Sequence, residues 1–168
     1  DIGNKIYDQC MSKVPQRFTP NGHNYYCTCS AAATIGNLTR GELKIMQNRK
    51  NWVAGNKTFE KYVTDVIVPC MDVPIDETEY LSCALNTRND PRINDIPNYC
   101  RCVKSGVGLH FREHGVEDII LGWKNGTSRS AEDPVTTLWE SDAFQDERTR
   151  LRDVCVWSNV RIDPFKGP

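Results

Sequence analysis

Tyr7-Asp8-Gln9-Cys10 and Tyr26-Cys27-Thr28-Cys29 return 73 residues later as Tyr80-Leu81-Ser82-Cys83 and Tyr99-Cys100-Arg101-Cys102. In both copies the first cysteine stands 17 residues before a C-x-C pair, and Asn21 recurs as Asn94. Each copy closes with one distant cysteine. Cys70 follows Cys29 by 41 residues and Cys155 follows Cys102 by 53, the second copy being longer mainly around residues 125–134. Recurrence at a fixed period is the mark of tandem duplication. It divides the chain into a unit over residues 1–73 and a related unit over residues 74–168.

The eight cysteines are an even number and form none of the C-x2-C pairs that zinc ribbons use. Structural disulfides in an oxidising compartment are therefore expected, periplasmic or secreted, with all eight thiols consumed. An opening Asp1-Ile2-Gly3 agrees with removal of a secretory signal peptide. Four cysteines in a unit allow three connectivities. A bond across the single residue of C-x-C is strained, which leaves the first cysteine joined to one member of the pair and the last joined to the other. Which member takes which partner stays open from spacing alone. Each bond closes a loop worth about 3 kcal/mol in the chain-entropy model, enough to hold a unit of modest core.

With 168 residues, 39% of them hydrophobic, the chain can bury a core of ordinary size. Twenty-one Lys and Arg oppose 22 Asp and Glu, so no basic field exists to gather nucleic acid. No apolar run is long enough to span a bilayer. Sequons at Asn37, Asn56 and Asn125 matter only in a eukaryotic source.

Periodicity gives helices and no strand pattern. Residues 4–14 carry Ile6, Cys10 and Met11 at helical spacing, and Pro20 with Gly22 marks a loop that contains His23. Residues 25–35 hold three successive alanines. Thr39 with Glu42 makes a capping box that opens the next helix, and residues 58–68 place Phe59, Tyr62, Val63, Val66 and Ile67 on one stripe ahead of Cys70. The second unit repeats the theme over 76–86, 99–107, 115–123, a short helix opened by Asp133-Pro134, and 144–157. Prolines 69, 74, 91 and 97 are expected at joints. The fold class is all-α, with about four to five short helices in each of two disulfide-stapled units.

Tyr26-Cys27-Thr28-Cys29 running into Asn37-Leu38-Thr39-Arg40-Gly41-Glu42-Leu43 resembles a pattern of small exported helical proteins of Gram-negative bacteria, in which Y-C-x-C opens one helix and L-T-x-x-E-L the next. The likeness covers about a third of each copy. It is clearer in the first, since the second has only Gly115-Val116-Glu117-Asp118 in place of the L-T motif. The resemblance implies a periplasmic or lipoprotein-type helical domain. Some small disulfide-bonded proteins of this kind are immunity proteins that block toxins secreted by rival cells. No catalytic residues come with it.

His110-Phe111-Arg112-Glu113-His114 satisfies H-x-x-E-H, in which two histidines one helical turn apart bind zinc and a glutamate activates water, with Glu117, Glu132 or Glu140 as the further ligand. Gly115 follows at once, so the stretch reads instead as an interhelical turn. The C-x-C pairs offer thiol redox chemistry or soft-metal binding, against which their duplication with distant partners speaks for cystines. No G-x-S-x-G elbow and no phosphate-binding glycine loop occur. No cofactor is expected.

A binding role rests on other residues: Trp52, Tyr25 and His23, and Lys124, Asn125 and Arg129 in the stretch that breaks the repeat's symmetry. Trp52 is expected to pack, and Trp123, Trp139 and Trp157 sit on apolar stripes and are expected in the core. The expectation is a non-enzymatic exported protein that binds another protein, such as a secreted toxin or lytic enzyme, by occlusion. Two equal units either complete one pseudo-symmetric body or pair again into a homodimer.

Overall fold

A computed structural model describes residues 2–13, 17–125 and 133–159, apart from the side chains of Asn125 and Asn159. Among these residues the regular structure is entirely helical. α1 spans Ile2–Met11, α2 Pro20–Asn37, α3 Arg40–Gln47 and α4 Lys57–Tyr62. A π-helical turn over Val63–Ile67 leads without a break into α5, Val68–Asn86; then come α6, Ile96–Asn125, α7, Pro134–Glu140, and α8, Asp142–Asn159. Among the described residues no helix is long and apolar enough to cross a membrane.

From α2 onward the helices that carry cysteines run up and down in chain order. Tyr7 Oη donates to Asn24 Oδ1 at 3.0 Å and Cys10 bonds Cys27, so α1 packs on the first two turns of α2. Cys29 bonds Cys70 and Asn37 Nδ2 donates to the Asp65 carbonyl at 3.2 Å, which sets α2 antiparallel to the 57–86 rod. Cys83–Cys100 and the Arg112–Asp72 ion pair do the same for α5 and α6, and Cys102–Cys155 with Leu151 against Gly106 and the Phe144 ring 6.3 Å from His110 for α6 and α8. The core between them is built on Phe59, Met71, Ile75, Phe111, Ile119, Leu138 and Phe144, all fully buried.

The C-x-C pairing follows from helix geometry. At 100° per residue, two cysteines with one residue between them lie roughly 200° apart around the helix and face different neighbours. Cys27 therefore reaches back to α1 while Cys29 reaches forward to Cys70, and Cys100 and Cys102 reach Cys83 and Cys155 in the same way. No described cysteine is free.

Three local expectations are corrected. Pro20 and Gly22 do not form a loop: Pro20 stands in the first turn of α2, where its missing N–H costs nothing, and Thr19 caps the helix by accepting from Gly22 N at 3.0 Å. Pro74 lies inside α5 and Pro69 at its start, so one helical rod covers residues 57–86 and runs across 73/74. Pro69 cannot donate to the Asp65 carbonyl. The π turn absorbs the misfit, Val68 N reaching Val63 O, and the Asn37 amide takes the released oxygen. Finally, residues 110–114 are not a turn but part of the 30-residue α6. The α6 glycines mark close approach rather than breaks: a Cβ at Gly106 would meet Leu151 Cδ2 at 2.5 Å, and one at Gly108 would meet Asp76 Oδ1 at 2.5 Å.

Gly106→Val should therefore cost about 1–3 kcal/mol by overpacking the α6–α8 contact, read from urea unfolding. Gly36→Ala, which meets nothing within 4 Å, should hold or slightly raise stability and serves as the control.

The Thr39/Glu42 capping box is present in full: Thr39 N donates to Glu42 Oε2 at 2.8 Å and Glu42 N donates to Thr39 Oγ1 at 3.3 Å. The Thr39 backbone N–H, then the Lys61 ammonium bound at 3.0 Å, bring the Glu42 carboxyl from its ordinary 4.5 down to about 2. Because the folded value is the lower one, this contribution to stability is complete above pH 4.5 and is lost as pH falls toward 2. NMR titration should place the Glu42 midpoint near 2, and Glu42→Gln should flatten the acid limb of the stability–pH curve.

Candidate functional site

The residues first singled out for binding do not converge. Trp52 is partly buried in an aromatic cluster with Phe59, Tyr62 and Trp123, its ring 5.9, 5.6 and 6.1 Å from theirs. Trp52 Nε1 donates to the Met46 carbonyl at 2.8 Å, and Trp123 Nε1 donates to the Trp52 carbonyl at 2.7 Å, so this side chain ties the 46–57 stretch to α6. Lys124 is exposed one residue beyond Trp123. Arg129 and the side chain of Asn125 lie outside the described residues. Tyr25 is 45% exposed on α2. His23, expected in a surface loop, is buried in the first turns of α2 because that helix starts five residues earlier than its alanine run suggests.

Trp157 is the largest departure from expectation. Trp139 is buried as anticipated and Trp123 half-buried, but Trp157 is 79% exposed. The cause is angular. Cys155 is turned inward by its bond to Cys102, and a residue two positions on points roughly 200° away. Val154, one turn before Trp157 on the same outward side, is also exposed. Periodicity detects an apolar stripe but not whether a neighbour covers it. The inward phase of a bonded Cys155 was the signal that could have placed Trp157 outside.

Trp157 borders a groove of about 450 Å³ lined also by Pro91, Arg92, Asn94, Asp153 and Val156. Its lining is mostly apolar and carries both charges. Arg92 is held in place by a two-pronged contact, Nε to Asp90 Oδ1 at 3.0 Å and an outer nitrogen to Asp90 Oδ2 at 2.7 Å. Those side-chain hydrogen bonds, with the Arg92 backbone N–H, bring the Asp90 carboxyl down to about 2, so the pair stays charged at any physiological pH. The Arg92 guanidinium is thereby held against Asp90 within its own loop. The Cys102–Cys155 bond fixes α8.

The H-x-x-E-H residues lie on one helix after all, with the His110 and His114 rings 5.0 Å apart. His110 Nε2 is engaged by the buried Asp118 carboxylate at 2.9 Å, and His114 lies 4.0 Å from Glu113 and 3.8 Å from Glu117. Among the described residues these donors do not converge on a common point as a metal site requires. The three that do are Cys10, His23 and Cys27, whose ligand atoms lie within 4.8 Å of one another.

Compared with family models, with curated proteins and with solved structures, the chain matches none. What it can do must be argued from its own surface.

Proposed function

We propose that this protein acts by binding another protein in an oxidising, extracytoplasmic compartment, with the groove beside Trp157 at the centre of contact. The observation that carries the proposal is an exposed tryptophan on a cystine-locked helix. Exposing most of a Trp side chain to water forgoes about 2–3 kcal/mol of burial, and Trp is among the residues most enriched at binding hot spots. The groove's lining joins Pro91, Val156 and Trp157 to Arg92, Asn94 and Asp153, the mix of apolar and polar groups that interfaces use. Because the bond at Cys155 anchors α8, the helix bearing Trp157 loses little conformational entropy on association.

The most specific form of this reading is occlusion: an immunity or inhibitor role in which the rigid face plugs a cleft of a secreted toxin or lytic enzyme. Four disulfides are compatible with export. We further infer that the chain arose by tandem duplication. Its support is the common order of bonds, first helix to second and second to third, spanning 17 and 41 residues in one copy and 17 and 53 in the other. In that reading α5 is shared, closing the first unit with Cys70 and opening the second with Cys83.

The experiment is to add the oxidised protein to the toxin or lytic enzyme encoded beside its gene and follow that enzyme's activity. Loss of activity at one-to-one stoichiometry is expected. Unchanged activity, together with failure of a pull-down to recover the neighbour's product, overturns the inhibitor role. Stoichiometric zinc held by His110 and His114 would transfer the case to a hydrolase.

A further inference from the structure

We propose that Cys10, His23 and Cys27 form a reductively opened site for a zinc-class divalent ion, closed while the two cysteines are bonded. The ligand set is already assembled: two sulfurs and an imidazole with donor atoms within 4.8 Å of one another. His23 is buried, and Cys27 is fully so. His23 Nε2 lies 3.2 Å from the Cys10 carbonyl oxygen and 3.6 Å from Cys27 Sγ, and Nδ1 lies 4.0 Å from that sulfur. Cys27 Sγ lies nearer Nε2 than Nδ1, so Nε2 is the ring atom placed to ligate, exchanging its contact with the Cys10 carbonyl for the ion. Two thiolates and an imidazole leave the fourth corner of a tetrahedron open to water or another ligand.

Two comparisons inside the molecule single out this bond. The matching bond of the second copy, Cys83–Cys100, has Ile96 where the first has His23, and the group near its sulfur is the Thr87 hydroxyl at 3.8 Å. The second comparison is mobility. Tetrahedral zinc holds two thiolates about 3.7 Å apart, so the sulfurs must move away from bonding contact. α1 has no fully buried residue: its half-buried Tyr7 and Cys10 pack at the edge of the core, and its ties to α2 include the disulfide, the Tyr7–Asn24 hydrogen bond and His23. The helix bearing Cys10 can shift without opening the core. Cys29–Cys70 and Cys102–Cys155 join helices that carry the core and have no such freedom.

The reductant is a dithiol, small or protein-borne. Its thiolate attacks the half-buried Cys10 sulfur, the Cys10–Cys27 bond breaks and Cys27 leaves as thiolate. The second thiol of the reductant resolves the mixed disulfide and frees Cys10 as thiolate. The dithiol is oxidised to its disulfide, the protein cystine is reduced by two electrons, and the two thiol protons pass to solvent as both thiolates bind the ion.

The test uses the whole oxidised protein, limiting dithiothreitol, alkylation mapped by mass spectrometry, and cobalt(II) as the probe. Cys10 and Cys27 should be alkylated before the other six cysteines. The partly reduced chain should then bind one cobalt per molecule with thiolate-to-cobalt charge-transfer absorption. His23→Gln should weaken binding at least tenfold with helicity unchanged by circular dichroism, and the double variant Cys10→Ser/Cys27→Ser should abolish it. Should any single variant lose its helicity, the partly reduced wild type decides alone. Earlier opening of another disulfide, absence of one-to-one cobalt binding by the wild type, or equal affinity in folded His23→Gln would overturn the proposal.

Discussion

Arg148→Met is expected to lower the unfolding free energy by about 3–5 kcal/mol, a large share of the 5–15 kcal/mol that holds a typical domain. Arg148 lies 2.8 Å from Glu79, with the side chains only 11% and 1% exposed, and this contact joins α8 to the middle of α5. Neither Glu79 Oε1 nor Arg148 Nε completes a well-aligned hydrogen bond, so charge rather than directed bonding holds the pair. Removing the cation strands a carboxylate in the core, and that uncompensated burial accounts for most of the loss. Arg148 also donates to Gln145 Oε1 at 2.9 Å and lies over the Phe144 ring, contacts a methionine stem replaces only in part. The double variant Glu79→Leu/Arg148→Met, which strands nothing, should recover most of the stability. Chemical denaturation of the two variants separates these cases. Equal losses in both would mean that the pair itself, not the orphaned charge, supplies the energy.

Replacing Cys102 and Cys155 together by alanine should cost about 4 kcal/mol, the chain-entropy value for a loop of 53 residues. The bond ties α6 to α8 at the rim of the Trp157 groove, so the variant should also lose order there, visible as faster hydrogen exchange over the C-terminal half of α8. The Cys10–Cys27 bond gives a useful contrast. Its loop of 17 residues is worth about 3 kcal/mol in the same model. Because α1 has no fully buried residue, the loss there should show as local release of α1, with a smaller change in global unfolding. Identical global losses for the two pairs would contradict this division between locking a core and tethering a flank.

These contrasts trace how far the residues announce the fold. The all-helical class, the Thr39/Glu42 box and the Asp133-Pro134 start were legible because each is set by contacts within one turn of chain. Helix continuity was not. Pro69 and Pro74 carry strong local stop signals, yet the helix runs through both, and at Pro69 the Asn37 amide, 28 residues before Asp65, supplies the Asp65 carbonyl. Gly115 makes residues 110–114 read as a turn, yet α6 runs straight through them. Tertiary neighbours override local propensity in each case.

The candidate site was less legible still. Composition pointed to tryptophans, but choosing among four depends on which side of each helix is covered. Trp52 and Trp123 hydrogen-bond inward and stack together, whereas Trp157 is rotated out by the bond two residues before it. His23 was noticed as a histidine beside two tyrosines, and its contact with a disulfide appears only once Pro20 is recognised as a helix start.

The most direct test of binding through the Trp157 face is the equilibrium dissociation constant for the neighbouring-gene product, measured calorimetrically for wild type and for Trp157→Ala. A hot spot worth at least about 2 kcal/mol predicts weakening of roughly thirtyfold or more, with Tyr25→Ala on the far helix unchanged. Wild-type affinity in Trp157→Ala, or loss of binding in Tyr25→Ala alone, would contradict the account.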